Sequence, residues 1–401
     1  MKILLLNDFG TATGGAELQM LSLRQGLRDR GHDVRLLASN ITPVAHSQLL
    51  ADYSCFGTNT RLQVLTQTVN PSAYLCLRRI LRDFQPDVVH VRIFMGQLSP
   101  LILPLLRNVP CIYQMAMYRA ICPKGTKTLP NGSPCKEPAG LTCLHHDCLT
   151  PQSWAMLMLQ RQLWQRWRDA FNLVVALSDA MKAKLEAEGI TPITVVHNGV
   201  PERPMRPPLT EPPTVAFAGR LVREKGVGVL LRAFARAKAK VPDARLLIAG
   251  QGVEEASLQT LAEELGVAAS VIWLGHISRT ELEQHFDSAW VQVVPSLWDE
   301  PFGNVTTEAM MRGTAVIAST VGAQPEIICD RTTGFLVPPD NVDALTTALL
   351  HLLLDKALAE QMGQAGRKRA LTQFSEDRRT ERFIELYQQL CVSAVPVSSR
   401  G

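Results

Sequence analysis

Ile3-Leu4-Leu5-Leu6-Asn7-Asp8-Phe9-Gly10-Thr11-Ala12-Thr13-Gly14-Gly15-Ala16-Glu17, followed after a helical stretch by Arg30-Gly31-His32-Asp33-Val34-Arg35-Leu36-Leu37, reads as strand, loop, helix, strand. The run 3–6 is apolar without alternation, as in a strand covered on both faces. Gly14-Gly15 breaks the run, and 16–30 carries Leu18, Leu21 and Leu27 at helical spacing until Gly31 stops the helix. Val34 to Leu37 then resumes a strand. A strand, helix and strand so joined form a βαβ unit, in which the strands are parallel and the crossover right-handed.

The pattern continues through Asp87-Val88-Val89-His90, Cys111-Ile112-Tyr113, 173–177 and 194–196, each predicting a strand. Residues 202–213 hold five prolines among polar neighbours, a linker composition hostile to helix and sheet. Beyond it the pattern restarts, with strands over 215–218, 245–249, 271–274, 290–294 and 315–318 and a helix over 228–240. The expected class is α/β: two Rossmann-like domains facing each other across a cleft, one over 1–200 and one over 214–375, joined by a linker at 201–213. Folds of this kind bind ligands beyond the carboxyl ends of their strands. A last helix, 376–390, carries Phe383, Ile384, Tyr387 and Leu390 on one face and is expected to dock on the body. The Ser-rich tail beyond Cys391 is expected to be loose.

A chain of 401 residues exceeds what one apolar core serves, which agrees with two domains. Its net charge of +4 is spread thinly, without the clustered basic residues of a nucleic-acid protein. The opening apolar run is too short for a signal peptide, and no stretch approaches the ~20 apolar residues of a membrane span. Nine cysteines without an export signal point to reduced thiols. The expected location is the cytoplasm, with peripheral contact to the inner membrane face left open.

The strongest local signal is Ser296-Leu297-Trp298-Asp299-Glu300-Pro301-Phe302-Gly303-Asn304-Val305-Thr306-Thr307-Glu308, which follows an apolar strand and enters a helix. Glu300 is expected at the open end of the strand, and Glu308 in the first helical turn after Thr306 or Thr307 as N-cap. Between them the Phe302-Gly303-Asn304 backbone can aim N–H groups at an anion, reinforced by the helix dipole. Carboxylates are natural acceptors for the vicinal hydroxyls of a sugar. A second loop, Gly219-Arg220-Leu221-Val222-Arg223-Glu224-Lys225-Gly226, also leaves a strand's carboxyl end. Arg220 and Lys225 there can neutralise a departing diphosphate. The Gly14-Gly15 turn is either a phosphate cradle or a plain tight turn. It lacks the dinucleotide spacing, and no acid follows the second strand, so a dehydrogenase is disfavoured.

These residues resemble the retaining glycosyltransferases of family 4, with the GT-B fold. The resemblance runs through Gly14-Gly15-Ala16-Glu17, Arg30 to Val34, Asp87 to His90, His197-Asn198-Gly199-Val200, Gly219-Arg220 with Lys225, Glu300 to Gly313, Gly322-Ala323-Gln324-Pro325-Glu326 and Gly334-Phe335-Leu336-Val337. It implies transfer of a hexosyl-type sugar from a nucleotide diphosphate sugar to a glycan, lipid-linked or small-molecule acceptor, with retention and without a metal, in surface polysaccharide or glycolipid synthesis. It further implies that Glu308 holds the donor ribose, Glu300 a hydroxyl of the transferred sugar, and Arg220 and Lys225 the diphosphate. The implied catalytic set is Glu300, Arg220 and Lys225. The implied donor-binding set adds Gly14, Gly15, Gly219, Phe302, Gly303, Asn304, Val305 and Glu308. One departure stands out: Ala116 occupies the place where many relatives carry a histidine that contacts the donor sugar. His90 or Arg119 is the candidate substitute for sugar or acceptor contact.

Cys122, Cys135, Cys143 and Cys148 crowd into a Gly/Pro-rich insertion, 122–148, with His145 and His146. A structural zinc site, buried thiols and a facultative disulfide all remain open, since the spacings match no standard knuckle. Just after it, Trp154, Trp164 and Trp167 alternate with Arg161, Arg166 and Arg168 on a helix, readable as core packing or as a membrane-interface face. His32 and His276 read as structural. Two other functions compete: a catalytically weak nucleotide-sugar-binding partner, and a nucleotide-sugar epimerase of the same architecture.

Overall fold

The apolar runs form two sheets in which every strand pair is parallel. The computed structural model describes residues 1–42 and 47–394. The chain divides into two compact units. The first comprises Met1–Pro130, Cys135–Gly199 and the helix that begins at Glu376; the second comprises Val200–Ser375 with Asn131–Pro134.

In the first unit the strands are Lys2–Phe9 (β1), Asp33–Ser39 (β2), Tyr53–Cys55 (β3), Val88–Ile93 (β4), Cys111–Gln114 (β5), Leu173–Ala176 (β6) and Ile193–Val195 (β7). Their order across the sheet is β3-β2-β1-β4-β5-β6-β7. Ile3 sits opposite Val34 on one side and Val88 on the other. The order therefore reverses between β1 and β4, which places the topological switch point at their carboxyl ends. The helix Gly15–Asp29 buries Met20, Leu23 and Leu27, spaced to share one face, against Ile3 and Leu5.

The helix Glu376–Ala394 closes the same core with Phe383, Leu386 and Tyr387, while Ile384 and Leu390 are only partly covered. It runs past Cys391, where a loose tail was expected to begin; the rest of that tail, 395–401, lies outside the described residues.

His90 on β4 is fully buried, which corrects its expected contact with sugar or acceptor. Its Nδ1 lies 2.6 Å from the Tyr387 hydroxyl and its ring 4.8 Å from that of Phe383. Burial, reinforced by Arg92, drives its pKa down to about 3, so the imidazole is neutral in the fold. Below pH ~6.5 the unfolded chain takes up a proton here that the folded chain refuses, so this group costs stability as pH falls from 6.5 toward 3. Asp8, raised to about 6 by burial, acts with the opposite sign between 6 and 3.8. His90→Gln isolates the first effect: the stability difference from wild type is expected to shift by about 2 kcal/mol in the variant's favour between pH 7 and pH 5. Urea unfolding at the two pH values measures it, and an unchanged difference refutes it.

In the second unit the strands are Thr214–Ala218 (β8), Arg245–Ala249 (β9), Val271–Gly275 (β10), Val291–Val294 (β11), Ala315–Ser319 (β12) and Gly334–Val337 (β13). Their order is β10-β9-β8-β11-β12-β13, so the switch point falls between β8 and β11. Leu230, Leu231 and Phe234 from the helix Val227–Lys238 and Leu349, Leu352 and Leu353 from Val342–Leu354 fill the core beside β8, β9 and β11. Among the described residues no helix is long and apolar enough to cross a membrane.

Candidate functional site

The two loops that leave β8 and β11 carry the site in the second unit. After β8 the chain turns at Gly219, exposes Arg220, and makes a short turn Arg223–Lys225 that ends at Gly226 with φ +69°. A Cβ at Gly226 would overlap the Pro295 carbonyl oxygen at the end of β11. Only glycine permits both that backbone and that approach. The Leu297 N–H also donates to the Glu224 carbonyl at 2.8 Å, joining the loops a second time. Gly226→Ala is expected to cost more than about 2 kcal/mol, from left-handed strain together with backbone overlap. Denaturant unfolding checks this, and a loss below about 0.5 kcal/mol refutes it.

That approach brings the Lys225 ammonium to 2.8 Å from Glu300 Oε1. Glu300 is buried and also accepts the Ser296 hydroxyl on the same oxygen. The Lys225 ammonium lies 5.8 Å from the centre of the Trp298 ring. Arg220 is 65% exposed, 3.6 Å from Glu224, and free to turn toward an incoming anion.

The second helix expected near the glutamates is Asn304–Met311, capped by Gly303 without a side chain. This corrects two expectations: Thr306 and Thr307 lie inside the helix, and Glu308 falls in its second turn. The reason is Gly303, where a Cβ would come within 2.5 Å of Gln324 Nε2; Gln324 instead fills that space and accepts the Thr306 hydroxyl at 2.8 Å. Phe302 is core, edge-on to Phe374, so at this position only its backbone is available to a ligand.

Glu308 is half-buried and accepts Arg279 Nη2 at 2.6 Å. Desolvation raises its pKa, and Arg279 opposes the rise. Arg279 and Arg203 both reach Glu283, at 3.5 and 3.4 Å. Glu308, Arg279 and Arg203 line one hollow with Ala218 and Leu282. Arg220, Gly219, Gln251 and His276 line its neighbour, which shares Ala218 and Leu282 as a common wall. Arg279 and Arg203 are additions to the sequence reading, and His276, read there as structural, lines the second hollow. Arg279 carried one signal, its place next to the Ser278–Glu281 capping box that starts its helix.

In the first unit, Gly14 caps the helix Gly15–Asp29, and the Glu17 carboxylate folds back over it. The helix terminus expected to receive a phosphate thus meets an acid of its own. Arg119 and Ala116 line a hollow beyond β4 and β5, together with Arg92. Cys122, Cys135, Cys143 and Cys148 are unpaired and partly exposed. Burial raises the Cys148 pKa, with Cys143, Cys135 and Cys122 adding to the rise. Among the described residues no group of three or more His, Cys, Asp or Glu is arranged to hold a metal ion. Of the basic-aromatic helix, now Pro151–Trp167, Trp164 is core against Phe94, Tyr113 and Phe171, and Trp154 Nε1 donates to Gly140.

Two parallel-sheet Rossmann-like units with acid and cation paired at a strand switch point define an α/β protein of the GT-B kind. Residues 202–369 match the family described as glycosyl transferases group 1, and 14–199 match the glycosyl transferase 4-like domain. The chain belongs to the family-4-type glycosyltransferases. It is 38% identical over 184 residues to the GDP-mannose-dependent alpha-(1-6)-phosphatidylinositol monomannoside mannosyltransferase of Mycolicibacterium smegmatis, covering 44% of this chain and 48% of that one. It is 28% identical over 359 residues to the phosphatidyl-myo-inositol mannosyltransferase of the same organism, covering 86% and 82%. The chain spans about half the length of the curated relatives it matches first, 48% and 44% of two of them. Its fold is like that of a sucrose-phosphate synthase from Thermosynechococcus elongatus, with a TM-score of 0.74, 22% identity, and 98% and 100% of the two chains covered.

Proposed function

We propose that the chain transfers a hexosyl-type sugar, with retention, from a nucleotide diphosphate sugar to a glycan, lipid-linked or small-molecule acceptor in surface polysaccharide or glycolipid synthesis at the inner membrane face. The observation that carries this reading is the Lys225–Glu300 pair at the switch point of the second unit, with the Arg279–Glu308 pair in the same unit. A diphosphate beside Lys225 and Arg220 takes over the ammonium now held by Glu300, and the released carboxylate is left to accept a sugar hydroxyl. Glu308 accepts the ribose hydroxyls. The bare terminus of Asn304–Met311 and the N–H groups of Gly303, Asn304 and Val305 favour the developing negative charge.

The bond from the anomeric carbon to the phosphate oxygen breaks while the acceptor oxygen bonds to that carbon on the same face. The acceptor's proton passes to the leaving phosphate oxygen. Lys225 and Arg220 supply the charge neutralisation, so the step proceeds without a metal. The two mannosyltransferases named above, one of them GDP-mannose-dependent, support a nucleotide-sugar donor.

A thermal-shift screen against UDP, GDP, ADP and their sugars tests the reading. One diphosphate nucleotide at about 100 times its Kd should stabilise the protein by about 2.7 kcal/mol and raise its melting temperature. No shift with any of them overturns it.

A further inference from the structure

We propose that the hollow at the switch point of the first unit binds the phosphate of a lipid phosphate acceptor, through Arg92 and Arg119, with the lipid's apolar chain on the ridge beside it. This deepens the transferase reading above and rests on it.

Arg92 is the penultimate residue of β4, next to the carboxyl end of β1, and is buried. Its Nη1 donates to Gln114 and its Nη2 to Asn198 Oδ1 at 3.1 Å, while its Nε has no hydrogen-bond partner among the described residues. Among the described residues no carboxylate forms an ion pair with it, and the charge of Glu17, the acid that acts on it, does not outweigh its burial. Arg119 faces the same hollow. Its Nη2 donates to Gln67 Oε1 at 3.2 Å, and its Nε is likewise buried without a partner. The nearest acid acting on Arg119 is Asp8, whose oxygens already accept the Gly96, Gln97 and Leu98 N–H groups at 2.6, 2.8 and 2.9 Å.

Arg92 is buried and Arg119 partly so, each with its Nε sealed from water and unbonded among the described residues, and the charges of Glu17 and Asp8 offset that desolvation only in part, so an anion in the hollow would complete both. A phosphate, with three oxygens, suits two planar donors better than a carboxylate does.

The acceptor's other half is read from the neighbouring surface. Gln67, which holds Arg119, belongs to a segment that exposes Leu62, Leu65 and Val69 at 58, 53 and 43%. Gln160 ties the segment down by donating to the Gln67 and Met95 carbonyls at 2.5 and 2.9 Å. Its neighbour Leu159 is exposed as well, as is Met117 on the rim of the hollow. A charged pocket edged by an unburied apolar ridge fits an amphiphile with a phosphate at one end.

Calorimetric titration of the whole chain separates the parts with three probes: dioctanoyl phosphatidic acid, dioctanoylglycerol, which lacks the phosphate, and glycerol 3-phosphate, which lacks the chains. The lipid phosphate should bind at least about tenfold more tightly than either of the others. Arg119→Gln should weaken it about tenfold, with partial rescue by Arg119→Lys. Leu62→Ser/Leu65→Ser should weaken the lipid phosphate and leave glycerol 3-phosphate unchanged. Each variant should keep the wild-type melting shift with nucleotide, which reports the second unit and its fold. Equal binding by wild type and Arg119→Gln overturns the phosphate assignment. Glycerol 3-phosphate binding as tightly as the lipid overturns the lipid assignment. Failure of the donor reading shows separately, as the absence of any nucleotide shift in the wild type.

Discussion

Glu308→Ala is expected to erase the melting-temperature shift that nucleotide produces in the wild type. Two charge-assisted hydrogen bonds from ribose hydroxyls to one carboxylate contribute about 1.5–3 kcal/mol each, so their loss weakens binding by on the order of 100-fold or more. The fold should survive, because Arg279, the partner left behind, still reaches Glu283 at 3.5 Å and is one-third exposed. Arg279→Ala should cost about tenfold in nucleotide affinity, since it orients Glu308 instead of touching the ligand. Calorimetric titration measures both. A Glu308→Ala protein that binds nucleotide like the wild type removes the ribose assignment.

Lys225→Ala is expected to lower the transfer rate by about 100- to 1,000-fold, the usual effect of removing one fixed donor from developing charge. It should also destabilise the fold by about 3 kcal/mol, because Glu300 stays buried with only the Ser296 hydroxyl on its side chain. Adding Glu300→Gln to Lys225→Met separates the two consequences. The double variant has no buried charge to compensate and should recover most of the lost stability, while transfer stays as low as in the single variant. Recovery of activity together with stability would mean that the pair is purely structural. Urea unfolding alongside donor turnover in the presence of acceptor gives the answer.

Most strands were legible because parallel sheets are covered on both faces and so write continuous apolar runs, as Ile3 to Leu6 do. The same property hid their orientation. With both faces apolar, nothing in Val88-Val89-His90-Val91 tells which side His90 faces, and a core histidine was read as a ligand contact. Tyr53–Cys55 was missed because Tyr-Ser-Cys between polar neighbours is no apolar run, and Gly334–Val337 was quoted as a motif without being seen as a strand. Glu300, Lys225 and Glu308 announced themselves by position in two loops. Arg279 did not, because its partner Glu308 is 29 residues away and only the fold joins them. The early start of Asn304–Met311 was hidden for a related reason: Gln324, which takes the room Gly303 leaves, comes from a later loop.

The helix Glu376–Ala394 belongs to the first unit, yet it is synthesised only after all of the second. On the ribosome the amino-terminal sheet must therefore wait, with Ile3, Leu5 and Leu27 lacking the cover of Phe383 and Tyr387, until the whole second unit has emerged. A gene fragment ending near residue 199 would leave that apolar surface open to solvent. Supplying the missing helix as a separate peptide, or moving it ahead of Met1 through a flexible link, would give the first unit a route to close on its own.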